Sequence, residues 1–311
     1  MKKDLTAEQL DELKVIADDQ VLCCVGLLVT LYFHDGHTRE KREAMWRCHE
    51  RYWEVAGAHL RWGSHPRTGR PVEIAKRKLP SLREWLNQLS EDDELDLCYH
   101  GGRHKNDADA YSLSLYTSRL NPHKLSFFSA TLPFFWAEQN PADEFLRLVR
   151  DFCAELRPFH GYGGLAAIAH VAPRKSRETQ SELSVYSLAR RFSGLEVDYP
   201  VSHLRHLGRG IKGVNWLTVL SEPFLESLES KASLSENLGE LFIFHDFPGG
   251  TIIQAGPYPQ IGNGGRPNIP SAYRMLARLL KPIRAPYLDV LHADPDGFDE
   301  TRTQQWFSRF D

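Results

Sequence analysis

One uncharged apolar run, Val21–Phe33 (VLCCVGLLVTLYF), limits the fold of this chain more than any other segment. It is rich in β-branched and aromatic residues and ends at Asp35-Gly36, a turn signal, so it reads as a buried strand. It is 13 residues long, as is the next such stretch, Leu125–Ala137. A membrane-spanning helix needs about 20. The chain is therefore expected to be globular, with these runs in its core.

Composition supports that expectation. The 311 residues are 41% hydrophobic and 25% charged, and 7 Trp, 11 Tyr and 16 Phe supply apolar area for a sizeable core. At roughly 150 residues per domain, the length suggests two domain-sized units. Lys and Arg number 38 against 41 Asp and Glu, a formal charge of -3, which argues against a general nucleic-acid binder. Asp4, Glu8, Asp11 and Glu12 precede any apolar run and no small-residue cleavage site follows, so no secretory signal is expected. The five cysteines are odd in number and form no C-x-x-C pair. A reducing, cytoplasmic setting follows as the simpler expectation.

Periodicity and punctuation place the elements. Helices are predicted at Thr6–Ala17, Arg39–Leu60, Ser81–Leu89, Pro141–Leu156, Thr179–Phe192, Ile269–Leu280 and Thr301–Phe310, with a helical turn at Phe224–Leu228. Strands are predicted at Val21–Phe33, Leu95–Tyr99, Ala110–Tyr116, Lys124–Leu132, Leu165–His170 and Gly213–Leu220. A hairpin joins Leu241–His245 to Thr251–Ala255 across Pro248-Gly249-Gly250. The expected class is α+β: two similar split β-α-β halves, residues 1–160 and 161–311, with a mixed or antiparallel sheet and helices packed on it. The halves share element order without a residue-by-residue repeat, and one continuous sheet across both is compatible with the pattern.

A search for chemistry finds no recognised catalytic set. The sequence lacks a G-x-S-x-G elbow, a P-loop, an H-E-x-x-H pair and a paired C-x-x-C. Gly161-Tyr162-Gly163-Gly164 falls short of a dinucleotide loop. His100 and His104, and His203 and His206, have helical spacing, but Gly101-Gly102 breaks the first pair, and solvated or locally bonded rings are the favoured reading. Cys23-Cys24, inside an apolar strand, reads as small hydrophobic filler. His245-Asp246 ends a strand, and a turn-capping Asp is favoured over a catalytic one. The stretch Gly256–Arg266 reads as a rigid connector, with an anion cradle as the alternative. No catalytic residue, cofactor or metal is assigned.

The remaining feature is charge. Ser90–Asp96 packs Glu91, Asp92, Asp93, Glu94 and Asp96 into seven residues. The favoured reading is a solvated turn after a helix. The sharper one is an electronegative patch that docks on a basic protein surface such as the substrate groove of a nuclease.

Ile211–Leu220, the hairpin at Leu241–Ala255, Gly256-Pro257-Tyr258-Pro259-Gln260-Ile261-Gly262, Tyr273-Arg274 and Leu280–Arg284 form a recognisable series. With Gly161–Ala166 they resemble the type VI secretion immunity family. That family includes TsiV-like proteins encoded beside VRR-Nuc effectors, and TsiT, partner of the nuclease-like toxin TseT. The similarity is strongest over about residues 155–285. Asn263 stands where the family pattern often has Asp, which weakens any charged role there. The resemblance implies a cytoplasmic, non-enzymatic antitoxin that binds and occludes a co-encoded effector, without membrane or direct nucleic-acid contact. Two other readings stay open: a scaffold or binding protein, including a homo-oligomer, and an enzyme acting on a small anion through Gly262–Arg266, His245 and Asp246.

Overall fold

The computed structural model describes residues 9–10, 12–76, 81–121, 124–137, 140–169, 178–228, 231–262, 269–291 and 296–311. The Val21–Phe33 run forms the long strand β2 (Gln20–Phe33), preceded by β1 (Val15–Ala17). Then come α1 (Arg39–Ala56), β3 (Trp62–Ser64), β4 (Pro71–Glu73) and α2 (Leu82–Gln88). Strands β5 (Leu95–His100), β6 (Ser112–Thr117) and β7 (Ser126–Leu132) lead to α3 (Pro141–Leu156).

The second half opens with β8 (His160–Ala169), α4 (Glu178–Arg191), β9 (Glu196–Val197) and α5 (Pro200–His203). It continues with β10 (Leu217–Ser221), α6 (Glu222–Ser227), α7 (Lys231–Leu238) and the hairpin of β11 (Phe242–Phe247) and β12 (Gly250–Ala255). Helices α8 (Ser271–Leu280) and α9 (Glu300–Phe307) close the chain.

All these strands belong to one 12-stranded sheet, in the order β11-β12-β10-β8-β2-β7-β6-β5-β3-β4, with β1 beside β2 and β9 beside β8. Every pairing is antiparallel except the short parallel β8–β9 contact. The α+β class with sheet-packed helices is as expected. The central ladder pairs Cys23–Tyr32 of β2 with His160–Ala169 of β8, so the sheet runs across residue 160.

Strand periodicity gives the sheet two different faces. Leu27, Val29 and Leu31 share one face with Leu113, Leu115, Phe128 and Ala130. Helices α1 and α3 cover it: Phe128 meets Phe152 edge-on at 4.9 Å between ring centres, and Tyr52 Oη donates to the Thr131 carbonyl at 2.8 Å. The other face carries Thr30, Tyr32, Ser129 and Tyr162. Helix α4 packs there on β2 and β8, with Ser181 Oγ donating to the Leu22 carbonyl at 2.6 Å.

Several segments depart from the sequence reading. The helix expected at Thr6–Ala17 lies partly outside the described residues, and its last three form β1 instead. Asp18 and Asp19 both have positive φ (49° and 60°), the geometry of a two-residue hairpin turn, and ladder bonding to β2 overrides the helical stripe. The polar segment around Pro66 and Gly69 folds as the β3–β4 hairpin. Gly161–Gly164 does not precede a strand; it lies inside β8. A Cβ on Gly161 would stand 2.7 Å from the Leu31 side chain and 2.6 Å from the Thr30 carbonyl oxygen, so glycine lets two strands and their core side chains close up.

His160, at the start of β8, is fully enclosed, with ring neighbours Tyr32 at 4.9 Å and Phe224 at 6.1 Å. Burial depresses its pKa to about 3, below the ~6.5 of an unfolded histidine. Between those values only the unfolded chain binds this proton, so stability falls as pH drops below about 6.5. A His160→Phe variant is expected to lose about 2 kcal/mol less than wild type between pH 6.5 and 4.5, measured by urea denaturation. Parallel losses in the two proteins would contradict a neutral buried ring.

Candidate functional site

The sheet face opposite α1 and α3 holds a buried ion cluster next to an open groove. Glu196 opens the short β9 and Asp198 follows it, Lys212 precedes β10 and Arg309 follows α9. Lys212, 3% exposed, donates to Glu196 Oε1 at 2.8 Å, the Val197 carbonyl at 2.6 Å and Tyr162 Oη at 3.2 Å. These three acceptors match the three protons of an ammonium group. Asp198 lies 3.5 Å from Lys212 Nζ and accepts from Tyr162 Oη at 2.6 Å and Thr30 Oγ1 at 2.5 Å. Arg309 approaches Glu196 Oε2 at 3.6 Å and lies 3.6 Å over Trp306. Its burial brings its pKa down to about 10, opposed by Glu196, and it keeps its charge at neutral pH.

The neighbouring residues are shaped to this cluster. Asn215 donates from Nδ2 to Glu196 Oε2 at 3.1 Å. Gly164 makes room for it: a Cβ there would fall 2.0 Å from Asn215 Oδ1. Burial, with Asp198 and Glu196 nearby, raises the Tyr162 phenol well above its ordinary pKa. Two cations and two anions thus neutralise one another with their donors aimed inward. No periodic motif announces these residues; the glycines of β8 were the one local signal.

Beside the cluster, where α4 and α5 leave the sheet uncovered among the described residues, runs a groove of about 410 Å³. Its floor is Cys98, Ser112, Ser114, Ser129 and Thr131 of β5, β6 and β7, and Asp96, Glu182 and Asp198 stand along it. Most floor groups bond each other: Ser112 Oγ with Thr131 Oγ1 at 2.8 Å, Ser129 Oγ with Thr30 Oγ1 at 2.8 Å, and Cys98 Sγ with Ser64 Oγ at 2.9 Å. The groove has no lysine, arginine or histidine among its described lining residues.

The acidic run beside the groove divides in two. Arg42, from α1, donates to the carbonyls of Leu89 at 2.7 Å, Ser90 at 2.8 Å and Asp93 at 3.2 Å and so fixes the turn. Asp93 caps that turn, accepting from Ser90 N at 2.7 Å and Ser90 Oγ at 2.8 Å, bonds that lower its pKa. Glu94 is neutralised by Lys124 at 2.5 Å and Arg119 at 3.4 Å. Glu91, Asp92 and Asp96 are exposed and form no ion pair among the described residues. Asp96 keeps contact with solvent, yet the surrounding protein raises its pKa by desolvation.

The other candidates are dispersed. His100 is buried on β5 while His104 is exposed in the following loop, and among the described residues no three His, Cys, Asp or Glu side chains gather to hold a metal. Cys23 and Cys24 are buried, and burial lifts the Cys23 thiol to about 12. His245 bonds Gln254 at 2.8 Å, and Asp246 pairs with Lys231 and also bonds the Thr251 side chain across the hairpin. The Gly256–Arg266 stretch is described only to Gly262; residues 263–266 lie outside the described residues.

Comparison with known families decides how this arrangement is to be read. The TsiV family profile, described as type VI immunity for VRR-NUC, matches residues 44–310. The chain belongs to the TsiV family. It is similar to a solved structure, the Pseudomonas aeruginosa T6SS protein PA0821, with 30% sequence identity and a TM-score of 0.86, covering 94% of this chain and 84% of that one. Comparison with curated proteins gives no match. The TsiV match starts inside α1 and extends through Arg309, so it spans Asp96, Asp198, Lys212 and the β2-facing strand β8. Type VI immunity is thus the function that membership of this family gives the chain, and the family's description names VRR-Nuc as the partner class. No helix among the described residues is long and apolar enough to cross a membrane.

The cluster generates a stability prediction. Lys212→Met leaves Glu196 and Asp198 buried without their nearest cation, which typically costs about 3–5 kcal/mol. Urea denaturation at pH 7 is expected to show that loss. A change below about 1 kcal/mol would mean that the cluster does not hold the C-terminal segment to the sheet.

Proposed function

We propose that the chain acts in the cytoplasm as a non-enzymatic antitoxin that binds its cognate VRR-Nuc effector one to one and covers the surface that grips nucleic acid. The observation that carries this reading is the match to type VI immunity for VRR-NUC over residues 44–310. The charge arrangement supports it. A nuclease must present cations to phosphates, and this chain presents exposed Glu91, Asp92 and Asp96 beside an acidic groove. The ion cluster favours a structural over a catalytic role, since Lys212 and Glu196 are each spent on buried partners.

An occluding interface of this class commonly buries about 1,200–2,000 Å² in total. In such an interface the exposed acidic turn steers the encounter. Rim charges act chiefly on association rate and salt dependence. The two halves, residues 1–160 and 161–311, present this surface as one body in our reading, because β2 and β8 share a ten-residue ladder.

The reading is tested by expressing the effector of the neighbouring gene with and without this chain. Protection from its toxicity, with a one-to-one complex on co-purification, is the expected result. In that complex Glu91→Lys with Asp92→Lys is expected to slow association about tenfold at low salt and to flatten its salt dependence. Failure of the folded chain to protect or to bind would reject the immunity reading for that pair. Unchanged rates in the double variant would remove the acidic turn from the interface.

A further inference from the structure

The groove over β5, β6 and β7 has a composition that neither packing nor solubility explains. Strands of one half-covered sheet ordinarily show charged or large polar side chains to water. Here the stretch that the described helices leave open shows small hydroxyls and a thiol, which leaves a trough with a flat floor. The wall is firm, because Asp198 is fixed by Thr30, Tyr162 and Lys212. The half-buried Ser114 keeps its hydroxyl without a hydrogen-bond partner among the described residues. Its cross-strand partner on β5 is Cys98, and two residues along the same strand and face stands Asp96, an exposed carboxylate with no cation among the described residues. An exposed carboxylate without a described cation, on the same strand face as an open hydroxyl, offers an arriving cation one charged and one neutral acceptor.

We propose that this groove seats a lysine- or arginine-bearing segment of the effector, with Asp96 as its counter-charge and the Ser114 hydroxyl as a further acceptor. The proposal rests on the immunity reading, and charge complementarity selects the occupant. The groove offers carboxylates and hydroxyl oxygens with no basic side chain among its described lining residues, whereas a nuclease presents cations where it holds phosphates. Occupied in this way, the groove takes from the nuclease a cation it needs for its substrate. It also separates two roles: Glu91 and Asp92 act on the approach, and the groove acts on the residence time.

The test is surface plasmon resonance on immobilised cognate effector, using the full chain and two variants whose folding is checked by circular dichroism and thermal melting. Asp96→Asn removes the charge and keeps the shape. Ser114→Arg fills the trough with a like-charged side chain at a position that is already half open. With wild type binding, Asp96→Asn is expected to raise the dissociation rate about tenfold with little change in association, and Ser114→Arg about a hundredfold or more. Wild-type rate constants in both folded variants would overturn the groove proposal and leave the immunity reading intact. Absence of binding by wild type would overturn the immunity reading and the groove proposal with it. A chain that self-associates, and that Ser114→Arg makes monomeric without altering effector binding, would assign the groove to a second copy and likewise overturn the proposal.

Discussion

The ladder between β2 and β8 is the interaction on which the rest of the molecule depends. Ten residue pairs, from Cys23↔Ala169 to Tyr32↔His160, join the two halves through their first long strands. A strand fixed on both edges has no freedom to slip, because a one-residue shift would turn every side chain to the wrong face. That register sends Leu27, Val29 and Leu31 toward α1 and α3, and Thr30 and Tyr32 toward the ion cluster. The glycines of β8 are part of the same constraint: side chains at Gly161 and Gly164 would strike the Thr30 carbonyl and Asn215, respectively.

The ion cluster is costly in isolation and is maintained by its completeness. Moving ions out of water is repaid only when geometry is good and leftover donors and acceptors are satisfied. Lys212 meets three acceptors, and Glu196 draws on Lys212, Asn215 and Arg309. The cluster ties β9, the approach to β10 and the end of α9 to the polar face of β2 and β8. It also makes one wall of the neighbouring groove rigid. A rigid wall loses little conformational entropy when a partner binds, which favours tight stoichiometric association.

The long elements were legible in the sequence because their signals are local. Pro141 at a helix start and Pro158 beyond its end bracket α3, and the apolar run of β2 needs no tertiary information to be read as a strand. What escaped depended on distant partners. Val15–Ala17 continues a helical stripe in sequence yet becomes a strand because β2 offers it a ladder. Gly161–Gly164 looks like a loop until two flanking strands require the missing side chains. The acidic run was visible as composition, but composition could not separate Asp93 and Glu94, spent on Ser90 and on Lys124 with Arg119, from the unpaired Asp96. The groove was not legible at all, since its floor comes from three strands and its wall from residues about a hundred positions later. The family resemblance covered function where the residues alone did not.

Sheet, cluster and groove together describe a chain that works by shape and charge, holding one face ready for a basic partner. An antitoxin of that kind acts by occupancy, so each copy silences one effector. The most direct measurement is a titration of the purified effector's nuclease activity with this chain at effector concentrations far above the dissociation constant. The account predicts a linear fall to zero activity at one equivalent. Loss of activity at a small fraction of an equivalent would reveal turnover, and undiminished activity at excess would show that binding does not cover the working surface; either result would contradict inhibition by occlusion.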